Sequence, residues 1–95
     1  METNYSEIWL SVALATRNRP GILECCLKSL RPQKVQPLEV VVSDDSDPEL
    51  ANETEEIASR WDCRYIRWPH RGLYTNRNHT ALACKGTHIH TMDDD

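Results

Sequence analysis

Short apolar runs alternate with amphipathic stretches along this chain, and each apolar run ends in polar residues. Ile8 to Ala15, Ile-Trp-Leu-Ser-Val-Ala-Leu-Ala, is nearly unbroken in its apolar character. That pattern suits a strand buried on both faces of a parallel sheet. It runs into Thr16-Arg17-Asn18-Arg19, and Pro20 then fits the first turn of a helix, where a missing amide hydrogen costs nothing. Ile22, Leu23, Cys26, Leu27 and Leu30 recur at helical spacing as one apolar stripe, which Arg31-Pro32 ends. Leu38 to Ser43 reads as a second strand, rich in β-branched residues, stopping at Asp44-Asp45. Ser46 or Asp47 is placed to cap the next helix, with Pro48-Glu49 in its first turn. Leu50, Thr54, Ile57, Ala58 and Trp61 give that helix an inner face; Glu53, Glu55 and Glu56 give it an ordinary solvated one. Cys63 to Trp68 suits an edge strand with one wet face. Beyond the loop Pro69-His70-Arg71-Gly72, Leu73 to Lys85 predicts a third helix with Ala81, Leu82 and Cys84 inward and Gly86 at its C-cap. Thr87 to Met92 is the last strand, and it stops in Asp93-Asp94-Asp95.

The order β-α-β-α-β-α-β implies an α/β fold with a parallel sheet and helices on both faces. In a doubly wound sheet the first three strands step outward and the fourth returns beside the first, so the expected strand order is 3-2-1-4. A crevice then opens at the carboxyl ends of the first and fourth strands, where ligands bind in such sheets. The conspicuous polar residues all fall at carboxyl ends: Thr16 to Arg19, Asp44-Asp45, His70-Arg71-Gly72 and Asp93 to Asp95. Residues 1–95 read as a single domain.

Composition narrows the function. An apolar content of 39%, with three Trp, three Tyr and no Phe, is enough for one modest core. The net charge of −4 argues against general nucleic-acid binding, which uses a basic face. Cys25, Cys26, Cys63 and Cys84 make no CxxC pair, and the reading favours buried thiols in a reducing compartment over disulfides. His70, His79, His88 and His90 lack zinc spacing with them. No apolar run approaches the ~20 residues of a membrane span, and no signal-peptide pattern opens the chain. Neither a GxGxxG nor a P-loop follows the first strand, and no nucleophilic serine elbow is present. A phospho-receiver domain would carry its acidic pair after the first strand; here it follows the second, and Pro69 stands where the acceptor aspartate would be.

The strand ends offer oxygen donors and arginines. Asp93 and Asp95, one residue apart after a buried strand, suit a hard divalent cation such as Mg²⁺ or Mn²⁺. Asp45 is placed to accept a hydrogen bond from a base or ribose, with Asp44 serving the loop. Arg17 and Arg19 are candidates for phosphates or a base edge, and Arg71 and Arg77 for a diphosphate. For Arg77 an internal ion pair, for instance with Asp44, stands as an equal alternative.

Four segments, in order, resemble the family 2 glycosyltransferases, the inverting GT-A type. Ser11 to Pro20 is similar to their opening strand and loop, and Val40 to Ser46 to their second strand and acidic pair. Gly72-Leu73-Tyr74-Thr75-Asn76-Arg77-Asn78 resembles their Gly-Leu-x-x-x-Arg-Asn segment, and Lys85 to Asp95 the segment ending in Asp-x-Asp. The resemblance implies a Rossmann-like three-layer α/β/α half and a nucleotide-diphosphate-sugar donor, a UDP-sugar by expectation. It implies donor-binding roles for Ala15, Thr16, Arg17, Arg19, Asp45, Arg71, Arg77 and Asp93, and metal ligation by Asp93 and Asp95. The reaction would be a metal-dependent transfer, of hexosyltransferase type, to an acceptor hydroxyl of a glycan or lipid. Arg17 stands where the family often has an aromatic residue.

On this reading residues 1–95 are the nucleotide-binding part of a longer enzyme, cut at the metal motif. The catalytic base is expected beyond Asp95, and the fragment alone is expected to bind donor or metal without turnover. The expected location is cytoplasmic, at the inner membrane face for a longer parent. A homodimer through the uncovered sheet edge is a further expectation. Two alternatives stay open: a nucleotidyltransferase-like nucleotide-sugar enzyme, whose Gly-rich loop is missing here, and a non-catalytic interaction domain.

Overall fold

The computed structural model describes residues 9–32, 36–37, 39–68 and 72–93. In chain order the elements are β1 (Leu10–Thr16), α1 (Pro20–Leu30), β2 (Glu39–Asp44), α2 (Pro48–Arg60), β3 (Arg64–Arg67), α3 (Leu73–Ala83) and β4 (His88–Asp93). Each expected element is present, with its ends moved by one or two residues. The strands form a parallel sheet in the order β3-β2-β1-β4. The strand order and the α/β class are those read from the sequence. The register brings the carboxyl ends level: Thr16 lies beside Asp44, Ala15 beside Asp93, and Asp44 beside Arg67.

Side chains on a strand alternate between faces, and the two faces of this sheet differ in chemistry. Val12 and Leu14 of β1 and Val40 and Val42 of β2 join Leu23 and Leu27 of α1 and Ile57 and Ala58 of α2 in one buried apolar cluster. The alternate positions, Ser11, Ala13, Ala15, Val41 and Ser43, are equally buried but small or polar. They lie on the face that α3 covers, where buried Asn76 meets Ser43. The Ser43 hydroxyl donates to Asn76 Oδ1 at 2.5 Å, and Asn76 Nδ2 donates to the Ser43 carbonyl at 3.0 Å. Thr80, one turn on, is buried and donates its hydroxyl to the Asn76 carbonyl at 2.6 Å.

This polar seam corrects the reading of the third helix. Leu82, expected inward, is 86% exposed, and Ala81 and Cys84 are half-buried. The buried turn is set by Asn76 and Thr80, polar residues that an apolar-stripe search passes over. Ile22 also leaves the expected stripe and is 44% exposed, while Leu23 and Leu27 carry the contact. None of the four cysteines is in a disulfide; Cys25 is exposed and the other three are half-buried rather than fully so. Burial pushes the Cys63 thiol up, and burial followed by the nearby Glu39 charge does the same at Cys84.

At the amino ends of the strands one carboxylate fastens several elements. Glu39 accepts the Ser11 hydroxyl at 2.8 Å, the Lys85 backbone amide at 2.5 Å and Arg64 at 3.2 Å. Gly86 passes so close to β1 that a Cβ there would collide with the Trp9 carbonyl and the Ser11 hydroxyl. The α3 C-cap is Cys84, not Gly86 as expected. Gly86 is required two residues later, for the close approach.

Candidate functional site

At the carboxyl ends, the loop after β1 is tied to the loop after β2. Asn18 turns the chain with a φ of 54°, a conformation Asn tolerates better than most residues. Its backbone amide donates to Ser46 Oγ at 2.7 Å, and its side chain exchanges two bonds with Asp47, at 3.1 and 2.9 Å. The Asp45 amide donates to the Thr16 carbonyl at 3.0 Å. Of the two residues expected to cap α2, Asp47 is the N-cap residue, but its side chain makes no cap hydrogen bond. Both side chains hold the β1 loop instead, and Arg17 joins them with an exposed 3.7 Å ion pair to Asp47.

The adjacent carboxylates Asp44 and Asp45 are both buried and face opposite sides of the sheet. Asp44, on the α1–α2 face, is saturated. Its Oδ1 accepts the Ser46 amide at 2.9 Å, and its Oδ2 accepts the Tyr65 hydroxyl at 2.6 Å and Arg67 at 3.3 Å. Burial, and then the hydrogen bond to this anion, push the Tyr65 phenol well above its usual range. Asp45, on the α3 face, accepts the Gly72 amide on Oδ2 at 3.3 Å. Its Oδ1 has no hydrogen-bond partner among the described residues. A buried carboxylate oxygen left in that state is costly to the fold and is an acceptor held ready for a donor.

Asp45 opens into a cavity of about 360 Å³ lined by Ala15, Thr16, Arg17, Arg19, Asp45, Gly72, Asn76 and Asp93. Six of the eight were singled out from the sequence as donor-binding. Gly72 and Asn76 were not given roles. Gly72 has a φ of 86°, open to glycine, and it aims its amide at Asp45. Asn76 anchors the first turn of α3 to β2, which holds Gly72 beside the acidic pair. Tyr65 and Arg67, the partners of Asp44, were also missed: a partly alternating edge strand gives no sign that its polar residues turn back to a neighbouring strand.

Arg77 lies outside that lining. It pairs with Asp93 rather than Asp44: Nε donates to Oδ1 at 3.1 Å and Nη2 to Oδ2. The pair borders a second hollow, of about 240 Å³, lined by Arg77, Thr91, Met92 and Asp93. Arg71 and Asp95 lie outside the described residues. Among the described residues no cluster of three or more metal-ligating side chains forms, and no helix is long and apolar enough to cross a membrane. His88 and His90 are exposed on β4.

A larger groove, of about 820 Å³, lies at the opposite end of the sheet, among Arg31, Glu39, Arg60, Trp61 and Arg64. Its guanidinium groups bond to the protein itself. Arg31 reaches the Trp61 and Asp62 carbonyls, Arg60 reaches Glu24, and Arg64 reaches Glu39 and the Ala83 carbonyl.

Comparison with known proteins gives a consistent result. A sequence model described as "Glycosyl transferase family 2" matches residues 11–95. The hyaluronan synthase of Pasteurella multocida is 31% identical over 99 aligned residues, which span all of this chain and 10% of that protein. An uncharacterised glycosyltransferase of Bacillus subtilis (strain 168), EpsJ, is 30% identical over 89 residues, spanning 90% of this chain and 26% of that protein. Among solved structures, S. aureus TarS overlays with a TM-score of 0.74 at 24% identity, over 93% of this chain and 17% of TarS. The glucosyl-3-phosphoglycerate synthase of Mycobacterium tuberculosis, solved with Mn²⁺, uridine diphosphate and glucosyl-3-phosphoglycerate, overlays with a TM-score of 0.73 at 21% identity. That overlay covers 95% of this chain and 34% of the synthase. These overlays support the fold, and in every case the chain spans a minor part of the relative's length.

Proposed function

Because the chain belongs to glycosyltransferase family 2, we propose that its carboxyl-end cavity takes the nucleoside diphosphate part of a sugar donor. In this reading residues 1–95 form the donor-binding part of a protein that transfers the sugar to an acceptor hydroxyl with inversion. The observation that carries the reading is Asp45 Oδ1, a buried acceptor without a hydrogen-bond partner among the described residues, on a residue that lines the cavity. It calls for an N–H or O–H donor, which a uracil ring or a ribose supplies. Arg17 and Arg19 flank the cavity from the β1 loop. A guanidinium there can lie flat on a base or meet a phosphate, the first being a substitute for an aromatic side chain.

Asp93 gives the cavity wall a hard oxygen donor, and among the described residues no thiol or imidazole lines the cavity. That donor chemistry fits Mg²⁺ or Mn²⁺, with Asp93 and, by sequence, Asp95 as the holding residues. When bound, such an ion supplies charge neutralisation for the departing diphosphate. The protein's own part is positional: the Asn18–Ser46–Asp47 tie and the Asn76–Ser43 anchor fix the walls against which base and diphosphate would rest. No cavity residue is assigned as the base that deprotonates the acceptor; we assign it to sequence that the longer relatives have in addition. A glycan or lipid acceptor and a cytoplasmic setting at the inner membrane face belong to the same proposal. So does self-association through the β4 edge, where Ile89 is 44% exposed.

Thermal unfolding of the full-length protein with uridine, guanosine and cytidine diphosphates, each with Mn²⁺, Mg²⁺ or a chelator, tests the reading. Uridine diphosphate with Mn²⁺ is expected to raise the midpoint, and the chelator to remove most of the rise. No shift with any nucleotide at millimolar concentration would overturn it.

A further inference from the structure

The pairing of Arg77 with Asp93 places a cation against the carboxylate that the proposed function gives to a metal. Nε and Nη2 of one guanidinium engage both carboxylate oxygens, the fork geometry that makes such pairs directional. The two side chains are 36% and 35% exposed, so the pair is neither fully solvated nor sealed in. Asp93 belongs to the wall of the larger cavity and to the outer hollow; Arg77 belongs only to the hollow. Arg77 and Asp93 share the walls of that hollow with Thr91 and Met92.

We propose that Arg77 is a stand-in cation for Asp93, one that makes uptake of a divalent metal depend on the diphosphate. The inference rests on the reading that Asp93 is a metal ligand. Its sign follows from charge. A positive group 3.1 Å from a carboxylate oxygen opposes any dication brought to that carboxylate, whichever lone pair the dication takes. With Arg77 in place, Asp93 holds a bare ion poorly. A diphosphate entering the cavity brings negative charge that offsets the repulsion. Metal and diphosphate then bind together more tightly than either alone. Each strengthens the other by the same factor, as linkage requires.

The test is Mn²⁺ binding to the full-length protein, read from the electron paramagnetic resonance signal of unbound Mn²⁺, with and without uridine diphosphate. The variants are Arg77→Gln, Arg77→Lys and Asp93→Asn. Without nucleotide, Arg77→Gln is expected to bind Mn²⁺ about fivefold more tightly than wild type, on the scale of a partly exposed ion pair. The strengthening by uridine diphosphate should shrink by a similar factor. Arg77→Lys keeps the charge but loses the fork, and it is expected to fall between the two. Circular dichroism confirms that each variant is folded, and Arg77→Lys carries the test if Arg77→Gln is not. Arg77→Gln binding Mn²⁺ no more tightly than wild type, with the nucleotide effect intact, overturns the proposal while leaving the metal reading standing. Asp93→Asn binding Mn²⁺ as wild type does removes the metal reading, and the proposal with it.

Discussion

The two ends of the sheet each present a concave surface with charged walls, and among the described residues only the carboxyl-end one has a lining residue with a buried polar side-chain atom that lacks a hydrogen-bond partner. The amino-end groove is the larger, about 820 Å³ against about 360 Å³. Yet Arg31, Arg60 and Arg64 there are bonded to carbonyls and carboxylates of the chain, and Glu39 accepts from Ser11, Lys85 and Arg64. The carboxyl-end cavity contains a buried Asp45 oxygen with no hydrogen-bond partner among the described residues. Size does not distinguish the two. A groove whose charged groups tie neighbouring elements together is a seam of the fold; a cavity whose wall keeps a buried acceptor unsatisfied bears a structural cost that a ligand can remove.

The largest effects are expected inside the acidic pair. Asp44→Ala removes the acceptor for Ser46, Tyr65 and Arg67 and leaves buried donors behind. It should lower unfolding free energy by about 3 kcal/mol, the low end for opening a buried pair because Arg67 is 31% exposed. Urea unfolding measures this, and a loss below about 1 kcal/mol would mean that Asp44 is not the structural member. Asp45→Ala should do the opposite. Affinity for uridine diphosphate is expected to fall by about 2 kcal/mol, some thirtyfold, as for a lost charged hydrogen bond. Stability should stay within about 1 kcal/mol of wild type, since the cost of burying the carboxylate disappears with it. Calorimetric titration beside the same urea experiment separates the two effects.

At the amino end the prediction is reversed. Glu39→Gln should cost about 1 kcal/mol of stability and leave nucleotide affinity unchanged. Burial alone would raise the Glu39 pKa, but the Lys85 amide, the Ser11 hydroxyl and Arg64 outweigh it and hold the carboxyl below its ordinary 4.5. Its stabilising contribution is therefore complete above pH 4.5 and is lost as the pH falls through the lower folded value. The acid limb of the stability profile should be shallower in Glu39→Gln than in wild type. The smallest effect is expected for Arg17→Ala, whose ion pair to Asp47 is 3.7 Å long and exposed. Stability should change by less than about 0.5 kcal/mol, so any larger loss in nucleotide affinity reports a direct contact.

The sequence made the sheet legible because burial on both faces leaves an unmistakable run of Val, Leu and Ala in β1 and β2. The strand order followed from chain order and handedness. The carboxyl-end residues were legible for the same reason: parallel strands bring their ends together, so Ala15, Thr16, Arg17, Arg19, Asp45 and Asp93 meet in one cavity. What escaped was polar and buried, or half-buried in the case of Tyr65 and Arg67. Asn76, Thr80, Tyr65 and Arg67 look like surface residues in one dimension, and their partners lie 33, 4, 21 and 23 positions away. The partner of Arg77 was missed because Asp44 and Asp93 both sit at strand ends. The choice between them depends on which face α3 covers, and that is decided by the Asn76–Ser43 contact.

Mapping of uridine diphosphate and Mn²⁺ binding by amide NMR shifts on the isotopically labelled protein tests the central claim most directly. Mg²⁺ replaces Mn²⁺ where paramagnetic broadening hides a signal. Shifts are expected to concentrate at Thr16, Arg17, Asp45, Gly72 and Asp93, with Arg31, Glu39 and Arg64 unmoved. Shifts confined to the amino-end groove, or none at millimolar ligand, would contradict it.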